Sequence, residues 1–319
     1  MRALLIVNPR ATTTTRLVVD ILVRSLAAKV EFETVSTRYR GHARDLAAST
    51  VADGYHAVLA LGGDGTINEV VNGLMREASA AGLDGGTGRT AARLPALAAI
   101  PGGNSNVFAR SLGLPADPVA AAGRVITALT AERTRTIGLG MADDRYFTFS
   151  AGLGLDAEVV RAVEAMRARG RRSSTPLFVR TALRQYFGVT DRRRPALTLE
   201  RDDQPDIAGL FMGIIANTTP WTYIGRRPVS PTPDADFNSG LDVFALRRLG
   251  AVPVFSAIGQ MMRRGSGPPA GRHVINLHDE TMLTLRSRRP IACQVDGEYV
   301  GEPESVTFRI VPEALRVIA

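Results

Sequence analysis

The sequence predicts a mixed α/β protein: an N-terminal doubly wound parallel-sheet domain followed by a C-terminal antiparallel β-sandwich. Three observations carry this. Strand and helix patterns alternate over the first 130 or so positions. Two of the early strands run into glycine-rich turns. After about residue 135 the texture changes to short apolar or alternating runs separated by turn residues.

In order, Ala3–Val7 reads as a buried strand, and Leu17, Val18, Ile21, Leu22 and Leu26 form a helical stripe. Val30–Thr37 is a second strand and His42–Ala52 a helix. Ala57–Leu61 is a third strand, and Ile67, Val70, Val71 and Leu74 line one face of the next helix. Ala78–Arg93, rich in Ala, Gly and Thr, reads as a surface loop. Leu97–Ile100 is a fourth strand, with helices expected at about 105–112 and over Val119–Leu129. The βαβα order argues for a parallel, doubly wound sheet with helices on both faces. Further strands are expected at 136–141, 145–151, 196–201, 207–216, 241–246, 274–277, 281–285, 291–295 and 305–311, with helical material at about 156–187 and 253–263. The domains are therefore 1–135 and 136–319, with the last strand able to return to the first domain.

Of the 319 residues, 45 % are hydrophobic and 22 % charged, an ordinary globular balance. The net charge of +8 is carried almost wholly by arginine, Lys29 being the single lysine. No Gly-Lys-Ser/Thr triplet exists, which excludes a P-loop of that type. No nucleic-acid motif is visible, and no stretch approaches the roughly 18 apolar residues of a membrane span. The opening Met1–Val7 is too short for a signal peptide and is ended by Asn8-Pro9-Arg10 without a small-residue cleavage site. One cysteine, Cys293, permits no internal disulfide, which suits a reducing cytosol.

The strongest motif is Leu59-Ala-Leu-Gly62-Gly63-Asp64-Gly65-Thr66-Ile67-Asn68-Glu69. Glycines let a backbone approach a ligand, and a helix start favours phosphate. Thr66 sits where a cap would, and Asp64 can hold Mg²⁺. The plainer reading is a tight turn in which Asp64 or Thr66 only caps the helix. A second glycine turn, Pro101-Gly102-Gly103-Asn104-Ser105-Asn106, follows the next strand. Successive βα turns gather at the carboxyl edge of a parallel sheet, where ligands bind. Asn8 and Thr37 end strands at that edge, while His42 reads as a helix-start residue. Far downstream, Val295-Asp296-Gly297-Glu298 reads either as a hairpin turn or as a pair of carboxylates serving an acceptor hydroxyl. If the pair lay on one strand, residues two apart would share a face. Gly152-Leu-Gly154-Leu-Asp156-Ala157 fits the degenerate dinucleotide fingerprint but opens no clear βαβ unit.

In this order, these motifs resemble the diacylglycerol kinase and sphingosine kinase family of lipid kinases, especially its bacterial members. The match runs from Asn8-Pro9 through Thr37 with His42-Ala43-Arg44, Gly62–Val70, Pro101–Arg110 and Gly152–Asp156 to Val295–Glu298. The resemblance implies an α/β nucleotide domain, a β-sandwich lipid domain and a cleft between them. It places ATP among Asn8, Thr37, Gly62, Gly63, Asp64, Gly65, Thr66, Glu69, Gly103 and Asn104, with Mg²⁺ linked to Asp64. It implies that Asp296 and Glu298 serve the acceptor hydroxyl. Two departures stand out. The second glycine turn lacks the family's frequent Thr and Asp. The sandwich metal loop, Asp236-Phe237-Asn238-Ser239-Gly240-Leu241-Asp242, carries Ser239 where an aspartate is expected, so that site is lost or rebuilt from Asp236 or Asp242.

The expected activity is ATP-dependent phosphorylation of a lipid hydroxyl on diacylglycerol, a sphingoid base or another lipid alcohol. A soluble-substrate kinase of the NAD kinase type and a non-catalytic binding relative remain alternatives. The expected partners are a lipid substrate and an anionic membrane surface, met peripherally from the cytoplasm. Ala162–Phe187 and Trp221–Arg227 are the basic-aromatic stretches that motivate the second. A homodimer is left open, and no nucleic acid is expected.

Overall fold

An uninterrupted apolar run has no solvent face to offer, so Ala3–Val7 forms a strand buried on both sides, β1 (Arg2–Val7). In this computed structural model residues 1–27, 30–80, 89–169, 175–263, 265 and 267–319 are described. Two structural units divide the chain: Met1–Leu139 with Val311–Ala319, and Gly140–Ile310.

In the first unit β1 is followed by α1 (Arg16–Ala27), β2 (Glu31–Ser36), α2 (His42–Ala52), β3 (Ala57–Gly62), α3 (Asp64–Ala80), α4 (Arg89–Arg93), β4 (Ala96–Pro101), α5 (Val107–Ser111), α6 (Pro118–Thr130) and the start of β5 (Arg135–Ala142). The strands β2-β1-β3-β4 pair in parallel in that spatial order. The first crossover runs one way from β1 and the next runs the other, so the order reverses between β1 and β3. That reversal opens a crevice at the strands' carboxyl ends. The expected loop over 78–93 is corrected at both ends. α3 continues to Ala80 and a short α4 begins at Arg89, while 81–88 lie outside the described residues. Ala78 is buried in the core, which explains why its helix runs on through a composition that looks loop-like.

The second unit continues with β6 (Arg145–Phe147), β7 (Ser150–Gly154), α7 (Leu155–Ala168), α8 (Thr175–Gly188), β8 (Leu197–Arg201), β9 (Gln204–Leu210), β10 (Met212–Ala216), β11 (Thr222–Ile224), β12 (Arg227–Val229), β13 (Leu241–Leu246), α9 (Ala251–Met261), β14 (Val274–Glu280), β15 (Met282–Ser287), β16 (Cys293–Val295), β17 (Glu298–Gly301) and β18 (Ser305–Val317). One antiparallel sheet has the order β14-β13-β10-β7-β16-β17; β9-β8-β15 pair with the first part of β18 in another. Leu199, Leu285 and Phe308 from one sheet pack with Leu153, Ile215 and Val243 from the other, as in a sandwich. The run 207–216, read as one strand, serves both sheets: β9 pairs with β8, and after Phe211 the chain enters β10, which pairs with β7 and β13. An apolar run long enough for two strands carries no mark of where the sheet changes.

The last strand is shared. Its residues from Ser305 pair antiparallel with β15, while Val317 pairs parallel with Leu97 of β4 in the first unit.

Candidate active site

At the carboxyl edge of the parallel sheet, the two glycine turns lie against each other. Gly102 N donates to Gly62 O at 2.7 Å, and a Cβ on Gly103 would stand 2.6 Å from the Cα of Gly63. These glycines are therefore required by backbone-on-backbone packing as well as by any ligand. Gly63 occupies the cap position of α3, its carbonyl accepting from Thr66 N and Ile67 N at 2.9 and 3.1 Å. Thr66, expected as the cap, is the third residue of the helix and buried. Its Oγ1 accepts from Asn8 Nδ2 at 2.8 Å, a bond that ties the end of β1 to the start of α3 across the topological switch.

Asp64 opens α3 and is half-buried. Its Oδ1 accepts from Phe108 N at 3.1 Å, so the first glycine turn holds the helix that follows the second. Gly65 is the next residue of α3. Glu69 points a different way: its two oxygens accept from Gly41 N (2.8 Å) and Ala43 N (3.2 Å), filling the start of α2, where Gly41 itself supplies no side-chain cap. Thr37 follows β2 at the same edge, its N–H bonded to Val7 O at 2.8 Å. His42 is the first residue of α2; its Nδ1 accepts from Arg38 N at 3.1 Å and its ring stacks on Tyr39. In the second turn Asn106 is buried with φ +48°, and its amide closes back on Gly103 at 2.8 and 2.9 Å. Asn104 is exposed. Asn8, Thr37, Gly62–Thr66, Gly103 and Asn104 thus gather at one sheet edge, while Glu69 serves the loop before α2.

In the second unit Asp296 and Gly297 join β16 to β17 with φ of +48° and +74°, the pairing of positive angles that a tight two-residue hairpin needs. Asp296 is buried and saturated with donors. Oδ2 accepts from Thr148 N (2.7 Å) and Thr148 Oγ1 (2.8 Å), and Oδ1 from Phe149 N (3.0 Å) and Ser150 N (3.2 Å). Glu298 begins β17 and pairs with Arg145 at 2.7 Å. The expectation that both carboxylates share a face by strand alternation is corrected, because Asp296 lies in the turn and the chain reverses between the two. Both nevertheless reach the segment 145–150.

Behind the hairpin, Gln294 links two further groups. Its Oε1 accepts from Gly297 N at 2.8 Å, and its Nε2 donates to Asp156 Oδ2 at 2.8 Å. Burial raises the Asp156 carboxyl from 3.8 to about 7, and the Gln294 bond opposes that rise. Arg145, Thr148 and Gln294 were not singled out from the sequence. Arg145 and Thr148 carry no motif, and Gln294 was legible only as a neighbour of Asp296. The fingerprint-like Gly152–Ala157 forms no dinucleotide site: β7 pairs antiparallel with both neighbours, and a Cβ on Gly152 would meet Gly213 O at 2.6 Å.

Among the described residues no group of three or more His, Cys, Asp or Glu side chains is arranged to hold a metal ion. Asp236 folds onto its own loop, accepting from Asn238 N and Nδ2. Asp242 is buried against His278 Nδ1 (2.8 Å) and Asp279 N (3.2 Å), with its carboxyl raised chiefly by desolvation. These are the contacts of the two acids expected to rebuild a sandwich metal site. The first unit does fit Mg²⁺ bound together with a polyphosphate. Asp64 offers a hard carboxylate oxygen beside a helix start, and phosphate and water oxygens commonly complete such a shell.

A parallel α/β unit with two apposed glycine turns at its switch point, joined in sequence to an antiparallel sandwich, is a two-part architecture with solved relatives. A diacylglycerol kinase from Bacillus anthracis str. Sterne superposes with a TM-score of 0.68 at 19 % identity, covering 99 % of this chain and 96 % of that one. A putative diacylglycerol kinase from the same organism gives 0.73 at 21 %. In sequence, the diacylglycerol kinase catalytic domain matches residues 2–142. A diacylglycerol kinase of Bacillus subtilis (strain 168) is 35 % identical over 296 residues, 88 % of this chain and 84 % of the relative. A probable YegS-like lipid kinase of Pseudomonas aeruginosa is 35 % identical over 136 residues, 43 % of this chain and 37 % of that protein. The chain belongs to the diacylglycerol kinase family of lipid kinases.

Proposed function

We propose that this protein transfers the γ-phosphate of ATP to the hydroxyl of a lipid alcohol, with diacylglycerol the first acceptor to test because the relative from B. subtilis, matched over 84 % of its length, bears that name. The observation that carries the nucleotide half is the pair of glycine turns packed together at the switch point, with Asp64 at the helix start. Phosphoryl transfer asks for position and charge neutralisation more than for covalent help. Amides at the start of α3 would receive phosphate oxygens, and Asn104 and Thr37 would contact the nucleotide from neighbouring turns. Mg²⁺ held by Asp64 would neutralise charge developing on the phosphate oxygens.

On the acceptor side Glu298 is the better base. Asp296 is buried and accepts four hydrogen bonds, whereas the Glu298 side chain, paired with Arg145, is 20 % exposed and so accessible to a substrate hydroxyl. The hydroxyl oxygen forms the new bond to γ-phosphorus, the bond to ADP breaks, and the hydroxyl proton passes to the Glu298 carboxylate. Asp296 would position that glutamate by fixing the hairpin. The protein would work in the cytoplasm. Its one thiol, Cys293, is buried and pushed up to about 12 by desolvation, and so is poorly nucleophilic. No helix among the described residues is long and apolar enough to cross a membrane.

The test is transfer from γ-labelled ATP with purified protein, a panel of lipid alcohols and NAD as competing acceptors. Label in the lipid phase is expected. Label only on a water-soluble acceptor, or no transfer to any acceptor, overturns the reading.

A further inference from the structure

The helix α9 (Ala251–Met261) carries no charged residue. Val254, Ala257 and Met261 face inward onto the sandwich. A surface helix ordinarily turns polar side chains outward. Here the outward stripe is Val252, Phe255 and Ile258, spaced three apart, with Val252 81 % and Phe255 46 % exposed. On α8 (Thr175–Gly188) the outward positions Val179, Leu183 and Phe187 are also apolar, Phe187 being 55 % exposed. The two stripes meet: the Phe187 and Phe255 rings are 6.3 Å apart, and Tyr186 lies 6.1 Å from Phe255. A contiguous exposed apolar patch of this kind marks an interaction surface.

Its rim is basic. Arg180 and Arg184 interrupt the α8 stripe. Arg192 lies over the Tyr186 ring at 4.9 Å and near that of Phe187 at 5.9 Å. Arg248 lines two open grooves, one of about 390 Å³ with Arg192 and Arg193, the other of about 560 Å³ with Arg272 and His273. Two acids lie close by, and both are engaged. Asp191 accepts from Arg193 N and Arg194 N and pairs with Arg289. Glu158 accepts from Gln185 and Thr190.

We infer that the α8–α9 face docks on an anionic lipid bilayer, with Phe187, Val252 and Phe255 entering the headgroup–acyl boundary and the arginine rim meeting lipid phosphates. Apolar side chains ringed by arginine match that interface in both polarity and charge. A second copy of the chain is a poorer occupant, because a two-fold contact would lay the same basic rim against itself. The inference does not depend on catalysis, and its test uses no nucleotide.

The experiment is cosedimentation of the full chain with phosphatidylcholine vesicles, with and without phosphatidylglycerol, at low and high salt. Sedimentation velocity and melting temperature are measured on the same samples without lipid. Wild type should bind the anionic vesicles and be released by salt. Phe187→Ser/Phe255→Ser should weaken binding by about tenfold or more with the melting transition retained. Arg192→Gln or Arg248→Gln should each weaken it roughly fivefold on anionic vesicles only, while Arg133→Gln in the first unit leaves it unchanged. Equal binding by wild type and all variants overturns the inference. So does equal, salt-insensitive binding to neutral vesicles. A phenylalanine variant that turns a lipid-free dimer into a monomer also overturns it, since the occupant is then a second copy.

Discussion

The same dipeptide, aspartate followed by glycine, occurs in both structural units and does different work in each. At Asp64-Gly65 the aspartate opens a 17-residue helix and accepts from Phe108 N. At Asp296-Gly297 the pair makes a hairpin, and the aspartate is buried under four donated hydrogen bonds. The difference is set by surroundings. A half-buried carboxylate at a helix start suits a metal-bound polyphosphate, whereas a buried, saturated one holds main chain in place. Reactive and fixing carboxylates should therefore respond differently to loss of charge.

The largest effect is expected at Asp64. Asn keeps an oxygen for Phe108 N but loses the charge, so Asp64→Asn should melt near wild type and lose about three orders of magnitude or more in kcat. A mutant with unchanged kcat would remove Asp64 from the reactive class. Next come the hairpin acids. Glu298→Gln should lower kcat by roughly 10²–10⁴ with little change in KM for ATP. Asp296→Asn replaces one acceptor oxygen by a donor facing amides. It should lower stability by about 1–3 kcal/mol, read as a drop in melting temperature, and affect turnover mainly through the displaced hairpin. Normal turnover in Glu298→Gln alongside a severe loss in a fully folded Asp296→Asn would reverse the two assignments.

A third prediction concerns Asp156, the buried acid behind the hairpin. Its folded value of about 7 exceeds the ordinary 3.8 because burial disfavours the charged form. Below pH 4 both folded and unfolded chains hold the proton. Between about 4 and 7 the folded state holds it and the unfolded state does not, so this group's contribution falls as pH rises and is fully lost above 7. From pH 5 to pH 7 the loss is roughly 2–3 kcal/mol. Asn at this position still accepts from Gln294 and does not titrate. Asp156→Asn should therefore gain stability over wild type at pH 8 and much less at pH 5, measured by urea unfolding. Parallel curves for the two proteins would show that Asp156 does not titrate in that window.

Much of this was legible in the sequence, for physical reasons that can be named. Apolar runs ending in Gly62-Gly63 and Gly102-Gly103 announce buried parallel strands, because only such strands lack a polar face. Asp296-Gly297 announces the hairpin through its positive φ angles. Three features were not legible. The split of 207–216 between sheets leaves no mark in an apolar run. The cap of α3 falls on Gly63 rather than Thr66 because Thr66 is bonded to Asn8, 58 residues away. Glu298 pairs with Arg145, 153 residues distant, one arginine in a chain full of them. Local pattern reports turns and faces; it does not report which distant donor takes up a carboxylate.

The smallest effect is expected at Glu69, which the motif groups with the nucleotide residues and the structure places on the start of α2. Its two oxygens accept from Gly41 N and Ala43 N, and Gly41, with φ +92°, brings no side chain of its own. A carboxylate there satisfies amides that have no intrahelical partner and favours the positive end of the helix. Glu69→Gln keeps one acceptor oxygen, gives up the other and removes the charge. By analogy with losing an N-cap, the cost should be about 0.5–1.5 kcal/mol, or a few degrees in melting temperature. The loop it holds, from Thr37 to Ala43, follows β2 at the sheet edge, so KM for ATP should rise only a few-fold and kcat should change little. A residue that touched nucleotide phosphates directly would behave otherwise, with a large loss of ATP affinity and an unaltered melt. Isothermal titration with ATP and thermal unfolding of the same Glu69→Gln protein read the two quantities separately. A stable variant that no longer binds ATP would return Glu69 to the reactive side.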